Sequence, residues 1–221
     1  IRETGEFAKS KNIAFLVDGA QSAGVLDIDV KRDNIGMLAF AGHKMLMGPT
    51  GTGGLYVSPN IQLKPVLYGG TGSVSESPEQ PDFLPDRLES GTLNIVGIAG
   101  LTEGVRYVLK NTPAAIRNHE ARLTERLLKG LYNMKNIIIY GGTERVGIVS
   151  FSVKNKDSIT VCNMLDTMNI AARGGLHCAP LAHKSLNTPN GLARLSVGCF
   201  NTPQQIDVAI DAIYRIAVDS L

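Results

Sequence analysis

Ala41-Gly42-His43-Lys44 and the turn Gly48-Pro49-Thr50-Gly51-Thr52-Gly53-Gly54 are flanked by two short apolar runs. Met37-Leu38-Ala39-Phe40 precedes them and Leu55-Tyr56-Val57 follows, and each run reads as a buried strand. The pattern puts a lysine at the mouth of a strand, on a bend too tight for bulky residues. Desolvation of a lysine stem disfavours the charged amine, and a neutral amine is a nucleophile able to form a Schiff base. Taken alone, Lys44 is better explained as a surface lysine beside a glycine turn. A P-loop is excluded, because no Gly-Lys-Ser/Thr follows the glycines.

Upstream, Ile13-Ala14-Phe15-Leu16-Val17 is an uninterrupted apolar run, suited to a parallel strand covered on both faces. It ends in Asp18-Gly19-Ala20-Gln21. A carboxylate and an amide at the carboxyl end of such a strand face the crevice where open α/β sheets bind ligands. A helix cap or turn is the plainer role for Asp18. Strands alternating with connectors and helices predict an α/β layered sheet.

Downstream, Gly69 to Pro85 is rich in Gly, Ser and Pro and reads as a loop, longer than an ordinary connector. Arg87-Leu88-Glu89-Ser90-Gly91-Thr92-Leu93-Asn94 forms a further turn. Ile95 to Leu109 predicts a helix in which Gly97, Gly100 and Gly104 allow close packing despite their poor helix propensity. The amphipathic stretch Arg117–Met134, with Leu123, Leu127, Leu128 and Leu131 on one face, predicts a helix linking two domains. The expected division is 1–112 and 113–221.

The second part reads as α+β. Ile137–Tyr140, Ile148–Val153 and Ala193–Val197 are expected strands, and Ser158–Met168 an expected helix. Thr202-Pro203-Gln204-Gln205 is a capping box with proline at N1, opening a last helix whose buried stripe is Ile206, Ile210, Ile213 and Ala217. Between them, Arg173-Gly174-Gly175-Leu176-His177-Cys178-Ala179-Pro180-Leu181-Ala182-His183-Lys184 reads as an irregular loop. A thiolate is the reactive form of cysteine, and an adjacent cation favours it; Arg173, His177, His183 and Lys184 can all serve. The plainer explanations are loop histidines and a small buried hydrophobe, the latter preferred for Cys162 and Cys199. A metal site of Cys178 with two histidines lacks a clear fourth ligand.

The 221 residues carry 22 basic and 20 acidic side chains, well mixed, for a net charge of +2, which argues against a nucleic-acid groove. No apolar stretch approaches the ~20 residues of a membrane span. Hydrophobic residues make up 43%, enough for a sizeable core. Three cysteines at irregular spacing argue against a disulfide framework or zinc site and for a reducing cytoplasm. The chain begins at Ile1 in a helix-like stretch, Arg2 to Ser10, and is expected to be the carboxyl-terminal part of a longer protein.

Several pieces now stand in one order: Asp-x-x-Gln at a strand end, Gly-His-Lys, Gly-Pro-Thr-Gly, Glu-Ser-Gly-Thr-x-Asn, Arg-x-Gly-x-His-Cys-Ala, and Arg194-Leu195-Ser196. Together they resemble the class V aminotransferases, pyridoxal-phosphate-dependent enzymes, and within them the cysteine desulfurases and selenocysteine lyases. The resemblance covers essentially the whole chain. It implies the second half of the family's large cofactor-binding domain, a mainly parallel sheet with helices, followed by a smaller α+β domain.

Position by position, the resemblance implies that Lys44 is the Schiff-base lysine that later moves protons at the substrate α-carbon. Asp18 would pair with the pyridinium nitrogen, Gln21 would bond the 3-hydroxyl oxygen, and His43 would contact the phosphate. Thr92 would reach the phosphate of the neighbouring subunit's cofactor, so a homodimer is implied. Arg194 would clamp the carboxylate of L-cysteine. Cys178 would take its sulfur as a persulfide, for a sulfur-acceptor protein and iron–sulfur cluster assembly. Ala41 departs from the family pattern, where a phosphate-binding serine is common. The alternatives are another enzyme of the family, an aminotransferase or a selenocysteine or cysteine sulfinate lyase, and a non-catalytic dimerisation module with an idle lysine. A transaminase has no need of a thiol at Cys178.

Overall fold

The computed structural model describes residues 1–142 and 144–218. They fall into two compact units, Ile1–Ala114 and Ala115–Leu221.

In the first unit, helix α1 (Arg2–Ser10) precedes strands β1 (Leu16–Asp18), β2 (Met37–Ala41) and β3 (Gly53–Val57), and helix α2 (Ile95–Asn111) follows. The sheet order is β1-β2-β3. β1 runs parallel to β2, with Asp18 opposite Ala39, and β3 returns antiparallel, with Ala41 opposite Gly53. β1 is shorter than the apolar run predicted it to be. Val17 is buried, but Leu16 is 53% exposed and Ile13 60%. Among the described residues, one face of the strand is packed and the other is open. β1 is the edge of this sheet, and strand alternation sends Leu16 and Val17 to opposite faces, of which one is packed.

α2 begins where the Asn94 side chain accepts from the Gly97 N–H at 3.0 Å. Its glycines have the packing role their spacing predicts. A Cβ at Gly97 would overlap the Asn94 and Thr52 side chains, one at Gly100 the Pro49 ring, and one at Gly104 the Leu46 carbonyl. The helix thus lies directly on the loop between β2 and β3, the loop that carries Lys44.

In the second unit, α3 (Pro113–Tyr132), which starts at the boundary, is followed by β4 (Ile137–Tyr140), β5 (Ile148–Val153), α4 (Ser158–Thr167), α5 (Pro180–Ser185), β6 (Ala193–Ser196) and α6 (Pro203–Val218). The sheet is antiparallel in the order β4-β5-β6. One face of β5 sends Val149, Phe151 and Val153 into a core with Leu127, Leu131, Leu165, Ile213 and Ile216. Fully burying a side chain of this size contributes about 1.5–3 kcal/mol. The capping box at α6 is formed in both directions: Thr202 N–H donates to Gln205 Oε1 at 3.0 Å, and Gln205 N–H to Thr202 Oγ1 at 3.3 Å.

The stretch expected to be an irregular loop contains the short helix α5. His183 is buried in it, with Nδ1 2.9 Å from the Thr188 hydroxyl. Pro180 at the first turn starts the helix, a position where proline loses no hydrogen bond.

Glu120 of α3 is 3% exposed. Burial pushes its carboxyl above the ordinary value, and the neighbouring His119 charge acts weakly the other way. The folded chain therefore holds this proton more tightly than the unfolded chain. The resulting stability is complete below the unfolded value of 4.5 and is lost as pH rises through the folded value. Glu120→Gln, uncharged throughout, is expected to resist urea better than the wild type at about pH 8 and no better at about pH 4. Equal midpoints at the higher pH would contradict this.

Candidate active site

Asp18 closes β1 and Ala41 closes β2, so the two segments bearing the predicted cofactor residues leave neighbouring parallel strands at one edge of the sheet. Gly19 N–H donates to the Ala39 carbonyl at 2.7 Å, carrying the pairing one residue past Asp18. Ser22 and Ala23 N–H groups then both donate to the Gly19 carbonyl, and this turn leaves Gln21 exposed. Asp18 is exposed, and its Oδ1 accepts from the Ala20 N–H at 3.0 Å. That bond orients the carboxylate and leaves its second oxygen without a partner among the described residues.

The Lys44 loop closes on itself. Gly42 N–H donates to the Thr52 carbonyl at 2.9 Å, Gly48 N–H to the Gly42 carbonyl at 2.7 Å, and Met47 N–H to the Lys44 carbonyl at 2.9 Å. A Cβ at Gly42 would overlap the Thr52 hydroxyl and press on Leu101 of α2, so only glycine fits there. Lys44 is half-buried, and His43 beside it is exposed. No acidic side chain among the described residues pairs with the Lys44 amine. Thr92 is exposed two residues before the α2 cap, and Gly91 N–H donates to the Gly70 carbonyl at 2.8 Å, tying the long loop to this segment.

These residues fit pyridoxal phosphate. A carboxylate with a free oxygen suits a ring nitrogen, an amide suits a phenolic oxygen, and an unpaired amine suits an aldehyde. Ala41 offers no hydroxyl to the phosphate.

In the second unit, His177 (φ 52°) and Cys178 (φ 60°) are consecutive left-handed residues that carry side chains. Each such residue costs about 1–2 kcal/mol. The strain is offset by the Ala179 N–H bond to the Leu176 carbonyl at 2.9 Å and by His177 Nε2, 3.0 Å from the Leu192 carbonyl. A carbonyl only accepts, so Nε2 carries the hydrogen. Nδ1 is left buried without a partner.

Burial pushes the His177 imidazole below its ordinary value. The Leu192 carbonyl opposes this, while the positive charges of Arg194, His183 and Arg173 reinforce it. His177 is held toward its neutral form, which makes it a weaker member of the four groups named as able to favour the thiolate. His183 is buried against Thr188. Arg173 lies beside the thiol: its Nη2 is 3.9 Å from Sγ of the exposed, unpaired Cys178.

Arg194 sits on β6, and its N–H and C=O exchange bonds with Arg173 at 2.8 and 3.1 Å. Its Nε is buried without a partner. A buried, unpaired charged donor is costly, and a carboxylate would satisfy it. Opposite Arg194 on β5 stands Ser150, a residue the motif pattern does not mark. Asp18, Gln21, His43, Lys44 and Thr92 belong to the first unit, and Cys178 and Arg194 to the second. Among the described residues, no three or more His, Cys, Asp or Glu come together as a metal site needs.

The profile of the family "Aminotransferase class-V" matches residues 1–208, and the chain belongs to that pyridoxal-phosphate-dependent family. It is similar to a probable cysteine desulfurase of Methanothermobacter thermautotrophicus, with 35% identity over 225 residues, covering 98% of this chain and 56% of that protein. It is also similar to a probable cysteine desulfurase of Borreliella burgdorferi, with 38% identity over 229 residues, covering 98% and 54%. Among solved structures it resembles the apo cysteine desulfurase from Thermococcus onnurineus NA1, with a TM-score of 0.90 and 33% identity, over 99% of this chain and 56% of that one. The fold is α/β, that of the pyridoxal-phosphate transferases. The chain spans about half the length of the curated relatives it matches.

Proposed function

We propose that the full-length protein is a cysteine desulfurase, converting L-cysteine to L-alanine and leaving the sulfur on Cys178 for an acceptor protein. The observation that carries this is the exposed Cys178, held in strained backbone with the Arg173 guanidinium beside its sulfur. The first unit is then the second half of the cofactor domain, and the second unit is the small domain bearing the cysteine loop. When bound, pyridoxal phosphate supplies an electron sink at the substrate α-carbon.

The chain's own residues do the rest. Lys44 would hold the cofactor through its amine and move protons at the substrate carbons. Asp18 would keep the ring nitrogen protonated, Gln21 would bond the ring oxygen, and His43 would contact the phosphate. Arg194 clamps the substrate carboxylate. The Cys178 thiolate attacks the substrate sulfur; an S–S bond forms, the carbon–sulfur bond breaks, and the carbon left behind is protonated to alanine. The three cysteines, none of them in a disulfide among the described residues, suit a reducing cytoplasm, and no helix among the described residues is long and apolar enough to cross a membrane.

The test is the product. Full-length protein with pyridoxal phosphate is expected to release alanine from L-cysteine in step with sulfur. A keto acid accumulating in place of alanine would contradict desulfuration and favour transamination.

Asp18→Asn is expected to retain cofactor yet slow turnover by orders of magnitude, because an amide cannot hold the ring nitrogen protonated. Near-normal turnover would reduce Asp18 to its turn bond with Ala20. Thr92 is assigned to the phosphate bound by a neighbouring subunit, so activity should sediment as a homodimer. A fully active monomer would remove that role.

A further inference from the structure

Arg194 does not stand alone on its face of the second sheet. Directly opposed residues in an antiparallel ladder share a face, with Cβ atoms about 4.5–5.5 Å apart. The register puts Tyr140 opposite Ser150 and Ser150 opposite Arg194, and the bridge puts Arg173 on the far side. One row of polar side chains therefore crosses the sheet, while the alternate residues of β5 fill the core.

Three features of this row lack a partner. Arg194 Nε is buried and unbonded. Arg173 and Arg194 are like charges directly opposed, an unfavourable arrangement, and no carboxylate among the described residues pairs with either. The Ser150 hydroxyl bonds to no described residue, and the register sets Ser150 directly opposite Arg194. An anion with two acceptor oxygens satisfies both neighbours at once.

We propose that Ser150 is a specificity residue: its hydroxyl donates to one oxygen of an amino-acid carboxylate whose other oxygen rests on Arg194, so that the two side chains form one seat. The proposal rests on the carboxylate role given to Arg194 above. The guanidinium fork supplies charge, and the hydroxyl fixes the rotation of the carboxylate, and with it the direction in which the rest of the amino acid points.

The test uses full-length holoenzyme and two probes, L-alanine and L-alaninamide, which lacks the carboxylate, with binding measured by calorimetry. Ser150→Ala is expected to weaken L-alanine about tenfold, the loss expected of one hydrogen bond to a charged group. It should leave L-alaninamide unchanged. KM for L-cysteine should rise by a similar factor, with kcat within about twofold, as loss of uniform binding requires. Ser150→Thr, which keeps the hydroxyl and suits a strand, should restore both. Ser152→Ala, a hydroxyl on the same face one pair away, should change neither. If Ser150→Ala binds L-alanine like the wild type while Arg194→Ala loses it, the seat belongs to Arg194 alone and the proposal is overturned. If Arg194→Ala also binds normally, the carboxylate assignment falls with it.

Discussion

Full-length Lys44→Ala is expected to make no alanine from L-cysteine and to hold no pyridoxal phosphate covalently. The lysine sits on a loop closed by the Gly42–Thr52 and Gly48–Gly42 backbone bonds and backed by Leu101 of α2. None of these supports uses the lysine side chain, so the variant should fold like the wild type. What it loses is the amine at the edge where Asp18 and Gln21 also emerge. A Schiff base needs an amine, and no other residue of this stretch supplies one. Borohydride reduction followed by peptide mapping checks the point: label on Lys44 in the wild type and none in the variant. Label on another lysine with turnover intact would move the site elsewhere.

Cys178→Ala is expected to capture cofactor and bind L-cysteine normally, yet to release alanine slower by orders of magnitude. The side chain is exposed and its sulfur lies beside the Arg173 guanidinium, so its removal should disturb neither folding nor the first unit. Alkylation at neutral pH should modify Cys178 first. Cys162 is buried, and burial pushes its thiol up, which disfavours the reactive thiolate. Cys199 is half-buried. Selenocysteine must be assayed separately, since its elimination can proceed without the thiol. Wild-type rates of alanine formation from L-cysteine in Cys178→Ala would remove the sulfur-accepting role from Cys178 and favour the lyase chemistry.

Much of the fold is written in local signals. The Thr202–Gln205 capping box forms bond for bond, because its donors and acceptors lie within one turn. The alternation of Ile148–Val153 survives as buried and half-buried faces, because one side of β5 meets the core. The glycine spacing of α2 shows close approach, but only the fold shows that the approached surface is the Lys44 loop.

What was not legible depends on pairing between distant segments. Ser150 carries no motif, and it matters only because the ladder sets it opposite Arg194. His177 is one of four groups near Cys178 in sequence able to favour a thiolate, but burial and the neighbouring positive charges hold it toward its neutral form, against the pull of the Leu192 carbonyl. α5 hides behind Gly174, Gly175 and Pro180, which signal a loop, although proline at a first turn also starts a helix.

The most direct measurement is mass spectrometry of the Cys178 peptide after full-length holoenzyme has reacted with one equivalent of L-cysteine and no reductant. Desulfuration predicts a mass increase of one sulfur atom on Cys178, matched mole for mole by L-alanine and absent from the peptides of Cys162 and Cys199. Alanine formed in that amount with Cys178 unmodified, and the sulfur recovered on another cysteine or as elemental sulfur, would contradict it.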